Sequence, residues 1–66
     1  MKLKVNGEDR EIAAGSTVSD LLTSLTLTST GVAVAVNGRV VPRSQHPEQG
    51  LQDGDVVEII RAVGGG

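Results

Sequence analysis

The stretch TVSDLLTSL, residues 17–25, is the part of the sequence that decides the fold. Its large apolar residues recur at intervals of three and four, which places them along one side of an α-helix. Thr17 and Asp20 resemble a capping box, in which two side chains satisfy free N–H groups of the first turn. The sequence therefore predicts one short amphipathic helix. Its apolar side carries Val18, Leu21, Leu22 and Leu25.

Two short strands are predicted before this helix. Residues 1–5, MKLKV, alternate apolar residues with lysines, and a period of two is typical of a half-buried strand. Asn6-Gly7 favours a tight turn, because both residues accept a positive φ. The return strand is expected at residues 10–14, with Ile12 facing inward.

Two further strands are predicted directly after the helix. Residues 32–36, VAVAV, place valines on one face and alanines on the other, and we expect the valines to face the helix. Asn37-Gly38 is a second turn signal, and the short strand after it ends at Pro42, which has no N–H to donate. Residues 43–50 are polar and are expected to be irregular.

The last predicted strand is residues 56–61, VVEIIR, after a tight turn at residues 53–55. Because Glu58 is charged, we expect it to face outward with Val56 and Ile60, while Val57 and Ile59 face inward. The core is then predicted to contain Leu3, Val5, Val18, Leu21, Leu22, Leu25, Val34, Val36, Val57 and Ile59.

The order of these elements indicates a fold class. Two hairpins flank one helix, and a single helix can cover only one face of the sheet. We predict an α+β fold of the ubiquitin-like β-grasp type, with a mixed sheet whose final strand returns to the middle. Residues 1–61 would form the domain, and residues 62–66 a flexible C-terminal tail.

The composition argues against several classes of function. The 66 residues include no Cys, one His and no aromatic residue, and the net charge is −2. We therefore expect no zinc or iron–sulfur site, and no nucleic acid as a partner. No apolar run reaches 18 residues, and the first residues lack the continuous apolar stretch of a signal peptide. We expect a cytoplasmic protein without a membrane partner.

The side chains that often carry catalysis are not arranged for it in this sequence. His46 stands beside Pro47 in a polar segment, where a solvated loop histidine is favoured over a catalytic one. Asp53 and Asp55 flank Gly54, which indicates a turn rather than a metal-binding loop.

The end of the sequence offers different chemistry. A carboxylate on Gly66 has no side chain beside it, and glycines allow a tail to enter a narrow channel. Fully extended, residues 62–66 would reach about 16–18 Å. Reaction with ATP would convert this unreactive carboxylate into a mixed anhydride, and a sulfur nucleophile would then displace AMP to leave a thiocarboxylate. A flexible tail without a chemical role is the alternative interpretation of the glycine tract.

The whole chain resembles the sulfur carriers of thiamine biosynthesis, the ThiS family. The features that carry the resemblance are Asn6-Gly7, the helix start TVSDLL, the segments VAVN and VPR at residues 34–37 and 41–43, and L-x-D-G-D at residues 51–55 leading to Gly65-Gly66. The terminal di-glycine at this distance from the L-x-D-G-D turn is the most specific of them. Gly64 is a departure, because many relatives carry a bulkier residue there.

The resemblance implies a carrier protein rather than an enzyme. Gly66 would be adenylylated by a ubiquitin-activating-type adenylyltransferase that uses ATP, and a sulfur donor enzyme would supply the thiocarboxylate sulfur. Thiazole synthase would accept that sulfur, and the chain itself would bind no cofactor or metal. Val63, Gly64 and Gly65 would enter the partners' active sites.

The open face of the sheet is the expected partner surface. Its small side chains, Ala33 and Ala35, make it flat, while Ile60 provides an apolar anchor near the tail and Glu58 adds a charge. A carrier for molybdopterin synthesis or for cysteine synthesis would share the fold and the di-glycine end. A non-covalent ubiquitin-like binding module is the alternative from a different class.

Overall fold

The structure, a computed structural model, describes residues 1–27 and 31–61. Within these ranges the elements are β1 (Lys2–Val5), β2 (Glu8–Glu11), α1 (Val18–Ser24), β3 (Val32–Val36), β4 (Arg39–Val41) and β5 (Val56–Arg61). The strand order in the sheet is β2-β1-β5-β3-β4. The pair β1 and β5 is parallel and the other pairs are antiparallel. The predicted mixed sheet, with its final strand in the middle, is confirmed.

The capping box predicted for α1 is present. The Thr17 hydroxyl accepts a hydrogen bond from the Asp20 N–H at 3.2 Å, and the Asp20 carboxylate accepts one from the Thr17 N–H at 2.9 Å. The helix ends at Ser24, and Thr26 has a φ of 58°, in the left-handed region that stops a right-handed helix. Thr17 and Thr26 therefore bracket a helix of about two turns.

The predicted core is confirmed with one correction. Leu25 is only partly buried, because it is the C-cap residue and lies at the rim of the core, where it packs against the buried cluster. Among the described residues, two buried apolar residues, Val41 and Leu51, were not predicted. The buried apolar residues are Leu3, Val5, Val18, Leu21, Leu22, Val34, Val36, Val41, Leu51, Val57 and Ile59.

The predicted position of the second strand was wrong. Asn6 and Gly7, with φ of 50° and 83°, form a two-residue turn, so β2 begins at once with Glu8 opposite Val5. All four residues of β2 are exposed. Ile12 lies just beyond the strand, where it is partly buried against the core and donates its N–H to the Met1 carbonyl at 2.9 Å.

The prediction of a solvated His46 was also wrong. A 3-10 turn, Arg43–Gln45, leads the chain inward, and His46 is 1% exposed. Its Nε2 lies 3.2 Å from the Val41 carbonyl oxygen. Because a carbonyl only accepts, Nε2 carries the hydrogen of this bond. The backbone carbonyl of His46 accepts the Ser19 N–H at 3.1 Å, which ties the segment to the start of α1.

We expect His46→Ala to lower the free energy of unfolding by about 1–3 kcal/mol, because it leaves the buried Val41 carbonyl without this donor. Urea denaturation followed by circular dichroism measures the change. Ser44→Ala, at an exposed position of the same 3-10 turn, is the control and should change stability by less than about 0.5 kcal/mol. Equal, small effects of both substitutions would show that the imidazole does not support the core.

Candidate functional site

The face of the sheet opposite α1 is formed by the outward side chains of the strands. Along β5, Val57 and Ile59 are buried while Val56, Glu58 and Ile60 are exposed, as their alternation predicts. In the antiparallel pairing of β3 with β5, Ala33 lies opposite Ile60 and Ala35 lies opposite Glu58. The structure therefore brings the four predicted surface residues, Ala33, Ala35, Glu58 and Ile60, into two neighbouring rows on one face.

Two exposed valines extend this surface beyond the prediction. Val40 lies opposite Ala35 in the pairing of β3 with β4, and its side chain is 76% exposed. Val56 is 46% exposed and Ile60 is 66% exposed. We call Ala33, Ala35, Val40, Val56 and Ile60 the apolar patch. The Asn37-Gly38 turn, which fixes the β3–β4 register, was the sequence signal that could have located Val40.

Charge divides the open face into two halves. On β1 and β2, Lys4 lies opposite Asp9, and its ammonium group is 3.9 Å from that carboxylate. On the other half, Glu58 lies between Val56 and Ile60 along β5 and opposite Ala35 of β3. Within residues 1–27 and 31–61, Glu58 takes part in no ion pair. Its carboxylate thus adds a negative charge to a mainly apolar surface.

Both predicted Asn-Gly turns are confirmed, and each asparagine also binds the central strand. Asn37, with a φ of 53°, accepts the Val56 N–H on its side-chain oxygen at 2.9 Å and donates its backbone N–H to the Val56 carbonyl at 2.7 Å. Asn6 donates its backbone N–H to the Val57 carbonyl at 2.9 Å. The Asn6 side chain then reaches Ile59, accepting its N–H at 2.8 Å and donating to its carbonyl at 3.1 Å.

The turn predicted at residues 53–55 is confirmed, with Gly54 at a φ of 89°. The Asp53 carboxylate accepts the Lys2 N–H at 2.6 Å, and the Asp55 carboxylate accepts the Gln52 N–H at 2.8 Å. The Asp55 carboxylate therefore stabilises the backbone of the turn, and the Asp53 carboxylate links the turn to β1. Among the described residues, no three His, Asp or Glu side chains are grouped to hold a metal ion.

The apolar patch lies next to the point where the predicted tail begins. Ile60 is followed by Arg61, the last residue of β5 and the last described residue. Val63, Gly64, Gly65 and Gly66 lie outside the described residues. In the part of the chain that the structure describes, no helix is long and apolar enough to cross a membrane.

Comparison with known proteins identifies the family. The model of the ThiS family matches residues 3–66. The chain belongs to the ThiS family. The predicted resemblance to ThiS is therefore confirmed, and the match includes the residues after β5.

Individual ThiS relatives and a solved ThiS structure agree with this assignment. Sulfur carrier protein ThiS of Escherichia coli is 36% identical over 66 residues, which cover all of both chains. The crystal structure of the thiamine biosynthesis protein (ThiS) from Geobacter metallireducens has a TM-score of 0.84 and 35% identity, again over all of both chains. The predicted β-grasp fold is thus confirmed.

A longer relative contains a segment similar to this ThiS chain. Thiazole synthase of Paramagnetospirillum magneticum is 44% identical over 66 residues, which cover all of this chain and 20% of that protein. Thiazole synthase of Magnetococcus marinus shows the same coverage at 38% identity. The chain therefore spans about a fifth of the length of these two proteins.

Proposed function

We propose that this chain is a sulfur carrier of thiamine biosynthesis, with sulfur held as a thiocarboxylate on Gly66. The observation that carries the proposal is the ThiS-family match through residue 66, together with the full-length similarity to sulfur carrier protein ThiS of Escherichia coli. The sequence contains no Cys, so no side-chain thiol can carry the sulfur. This supports the terminal carboxyl group as the place where the sulfur is held. The chain is then a co-substrate of its partner enzymes and not itself an enzyme.

The first proposed step activates the carboxylate. One carboxylate oxygen of Gly66 attacks the α-phosphorus of ATP, the bond to the β,γ-phosphates breaks, and pyrophosphate leaves. The product is an acyl adenylate. A ubiquitin-activating-type adenylyltransferase binds the ATP for this step, so the carrier needs no nucleotide site of its own.

The second proposed step replaces oxygen by sulfur. A hydrosulfide-equivalent nucleophile, delivered by a sulfur donor enzyme, attacks the carbonyl carbon of the adenylate and forms a C–S bond. The C–O bond to AMP breaks, AMP leaves, and the thiocarboxylic acid loses a proton to give the thiocarboxylate. Carbon, phosphorus and sulfur are neither oxidised nor reduced in this form of the step.

Thiazole synthase is the proposed acceptor of the sulfur. The support is the segment similar to this chain within the thiazole synthases of Paramagnetospirillum magneticum and Magnetococcus marinus. A carrier segment and a synthase within one protein would work on the same sulfur transfer.

The direct test of the proposed thiocarboxylate is incubation of the carrier with ATP, the activating enzyme and sulfide. Intact mass measurement then shows whether one oxygen has been replaced by sulfur.

The apolar patch and Glu58 form the proposed docking surface for the activating enzyme. Exposed apolar side chains that lie together on a small domain are typical of association sites. Glu58 lacks an ion pair among the described residues, so its burial in a complex would require a cationic group from the partner. Val63, Gly64 and Gly65 would lead from this surface into the partner's active site.

We expect Ile60→Asp to raise the Kd for the activating enzyme at least about tenfold, which corresponds to about 1.4 kcal/mol. The substitution removes apolar area from the contact and places an unpaired carboxylate next to Glu58. Isothermal titration calorimetry without ATP measures the Kd, and circular dichroism should remain unchanged.

The control for Ile60→Asp is Thr23→Asp, which introduces the same charge at an exposed position of α1, on the opposite side of the sheet. Its Kd should stay within about twofold of that of the native chain, since a distant surface charge is largely screened. A native affinity of Ile60→Asp would remove the apolar patch from the interface.

A further inference from the structure

The central strand is held unequally on its two sides. On the side of β3, register pairs run along the strand from Val57 to Arg61. On the side of β1, the register pairs are Lys4 with Val56 and Val5 with Val57. Beyond Val57, on the β1 side, the described contact to the backbone of β5 is the side chain of Asn6.

Beyond the end of β1, the Asn6 side chain makes the hydrogen bonds to β5 that the backbone of a longer β1 strand would make. Its carboxamide binds both polar backbone groups of Ile59, with the oxygen accepting at 2.8 Å and the nitrogen donating at 3.1 Å. An amide side chain can do this because it has the donor and acceptor of a peptide group. Asn also tolerates the left-handed φ of 50° that the turn requires. One residue thus closes the β1–β2 turn and holds β5.

We propose that Asn6 is a positioning residue for the reactive terminus. The proposal rests on the proposed function, because it concerns the activation of Gly66. Ile59 lies between Glu58 and Ile60, both of the docking surface, and two residues before the end of β5 at Arg61. By holding Ile59, Asn6 fixes the docking surface and the point of departure of residues 62–66 relative to one another.

Because the terminal segment is short, the position of the Gly66 carboxylate depends on where β5 ends relative to the docking surface. In the complex the docking surface is fixed on the partner, and residues 62–66 reach at most about 16–18 Å beyond the end of β5. A shift of that end relative to the docking surface therefore displaces the carboxylate from the reacting phosphorus. Reactive groups must be held within about 0.5 Å and 10–20° of the productive geometry. Without Asn6, the N–H and carbonyl of Ile59 lose their partners on the β1 side. The last residues of β5 are then held through β3 alone.

Asn37 provides a matched control within the same chain. It has the same place in an Asn-Gly turn, a similar φ of 53°, and a side-chain bond to a backbone N–H of β5. Its partners are Val56, the first residue of the strand, and the carboxylate of Asp55 just before it, at the end away from Gly66. Glycine accepts a positive φ, so Asn6→Gly and Asn37→Gly both keep the turn and delete only the amide.

The experiment measures pyrophosphate release by the activating enzyme against carrier concentration, at a temperature where all variants are folded by circular dichroism. We expect Asn6→Gly to lower kcat about tenfold with KM within about twofold, since misplacement of the carboxylate by ångströms slows the chemical step. Asn37→Gly should leave kcat within about twofold of native. Asn6→Asp, which keeps the acceptor for the Ile59 N–H but loses the donor, should fall between native and Asn6→Gly.

The split between kcat and KM separates positioning from stability. A substitution that only unfolds part of the carrier lowers the concentration of competent substrate, which raises the apparent KM and leaves kcat at saturation unchanged. Hydrogen exchange gives a second readout, because the Ile59 amide should exchange faster in Asn6→Gly than in the native chain.

Each alternative result overturns the inference in a recognisable way. A native kcat for Asn6→Gly, a change in KM alone, or equal losses of kcat in both glycine variants would each exclude a positioning role, while the native chain's activity would uphold the proposed function. Unchanged exchange of the Ile59 amide would show that the Asn6 contact does not hold the strand. No pyrophosphate release with the native chain would overturn the proposed function and this inference together.

Discussion

Deletion of Gly66 is expected to abolish the gain of sulfur by the carrier without unfolding it. The reacting atoms of a productive complex lie about 3–3.5 Å apart, and one extended residue spans about 3.3–3.6 Å. Shortening the chain by one residue therefore withdraws the carboxylate by several times the positional error of about 0.5 Å that a productive geometry tolerates. Intact mass after incubation with ATP, activating enzyme and sulfide should show replacement of oxygen by sulfur in the native chain only.

The stability part of this expectation follows from where the core lies. Among residues 1–27 and 31–61, the buried apolar residues run from Leu3 to Ile59, well before the deleted residue. Loss of Gly66 should therefore change the free energy of unfolding by no more than about 0.5 kcal/mol. A urea denaturation curve that coincides with that of the native chain would show that the lost chemistry is not a folding defect.

Two further variants separate chain length from channel width. One alanine added after Gly66 converts its carboxylate into an amide and moves the free acid by one residue, so it should also prevent the gain of sulfur. Gly65→Val keeps the length but adds a branched side chain where a partner backbone is expected to approach closely. It should slow adenylylation while the affinity of the docking surface is retained.

A shortened chain that gains sulfur as fast as the native chain would show that Gly66 is not the working residue. If the native chain binds a partner through the apolar patch but gains no sulfur with any activating enzyme, the non-covalent binding module becomes the better interpretation.

The elements with a strong apolar period could be predicted from the sequence. The spacing in residues 17–25 located α1 because its apolar side must be covered, and VVEIIR in β5 separated inward from outward residues through Glu58. The failure at β2 has a physical cause. The strand Glu8–Glu11 contains no apolar residue, so its position is set by the geometry of the Asn6-Gly7 turn and not by burial.

The contacts that hold the site depend on residues far apart in the chain. His46 occurs in a polar segment, and only the folding of that segment against the start of α1 buries its ring. Asn6 and Ile59 are 53 positions apart, so a local pattern identifies the turn but not the bond between them. The outward residues of β5 could be predicted, whereas Val40 required the register of β4 against β3. The proposed role of Gly66 came from the chemistry of its carboxylate and from the ThiS resemblance.

Leu22→Ala is expected to lower the free energy of unfolding by about 2–5 kcal/mol, the usual cost of truncating a buried leucine. Leu22 is 1% exposed in the middle of the apolar side of α1, where it packs in the core against the sheet. At about 0.05–0.15 kcal/mol per residue, a domain of this size has a total stability of roughly 3–10 kcal/mol. The single substitution therefore removes a large share of what holds the fold together.

Urea denaturation followed by circular dichroism measures this loss, and Thr23→Ala is the control at the next, exposed position of the same helix. Both substitutions introduce alanine, which favours helix, so helix propensity cannot account for a loss at Leu22. The Thr23 variant should differ from native by less than about 0.5 kcal/mol. A loss equally small for Leu22→Ala would mean that α1 does not bury this side chain, and the packing of the helix on the sheet would have to be revised.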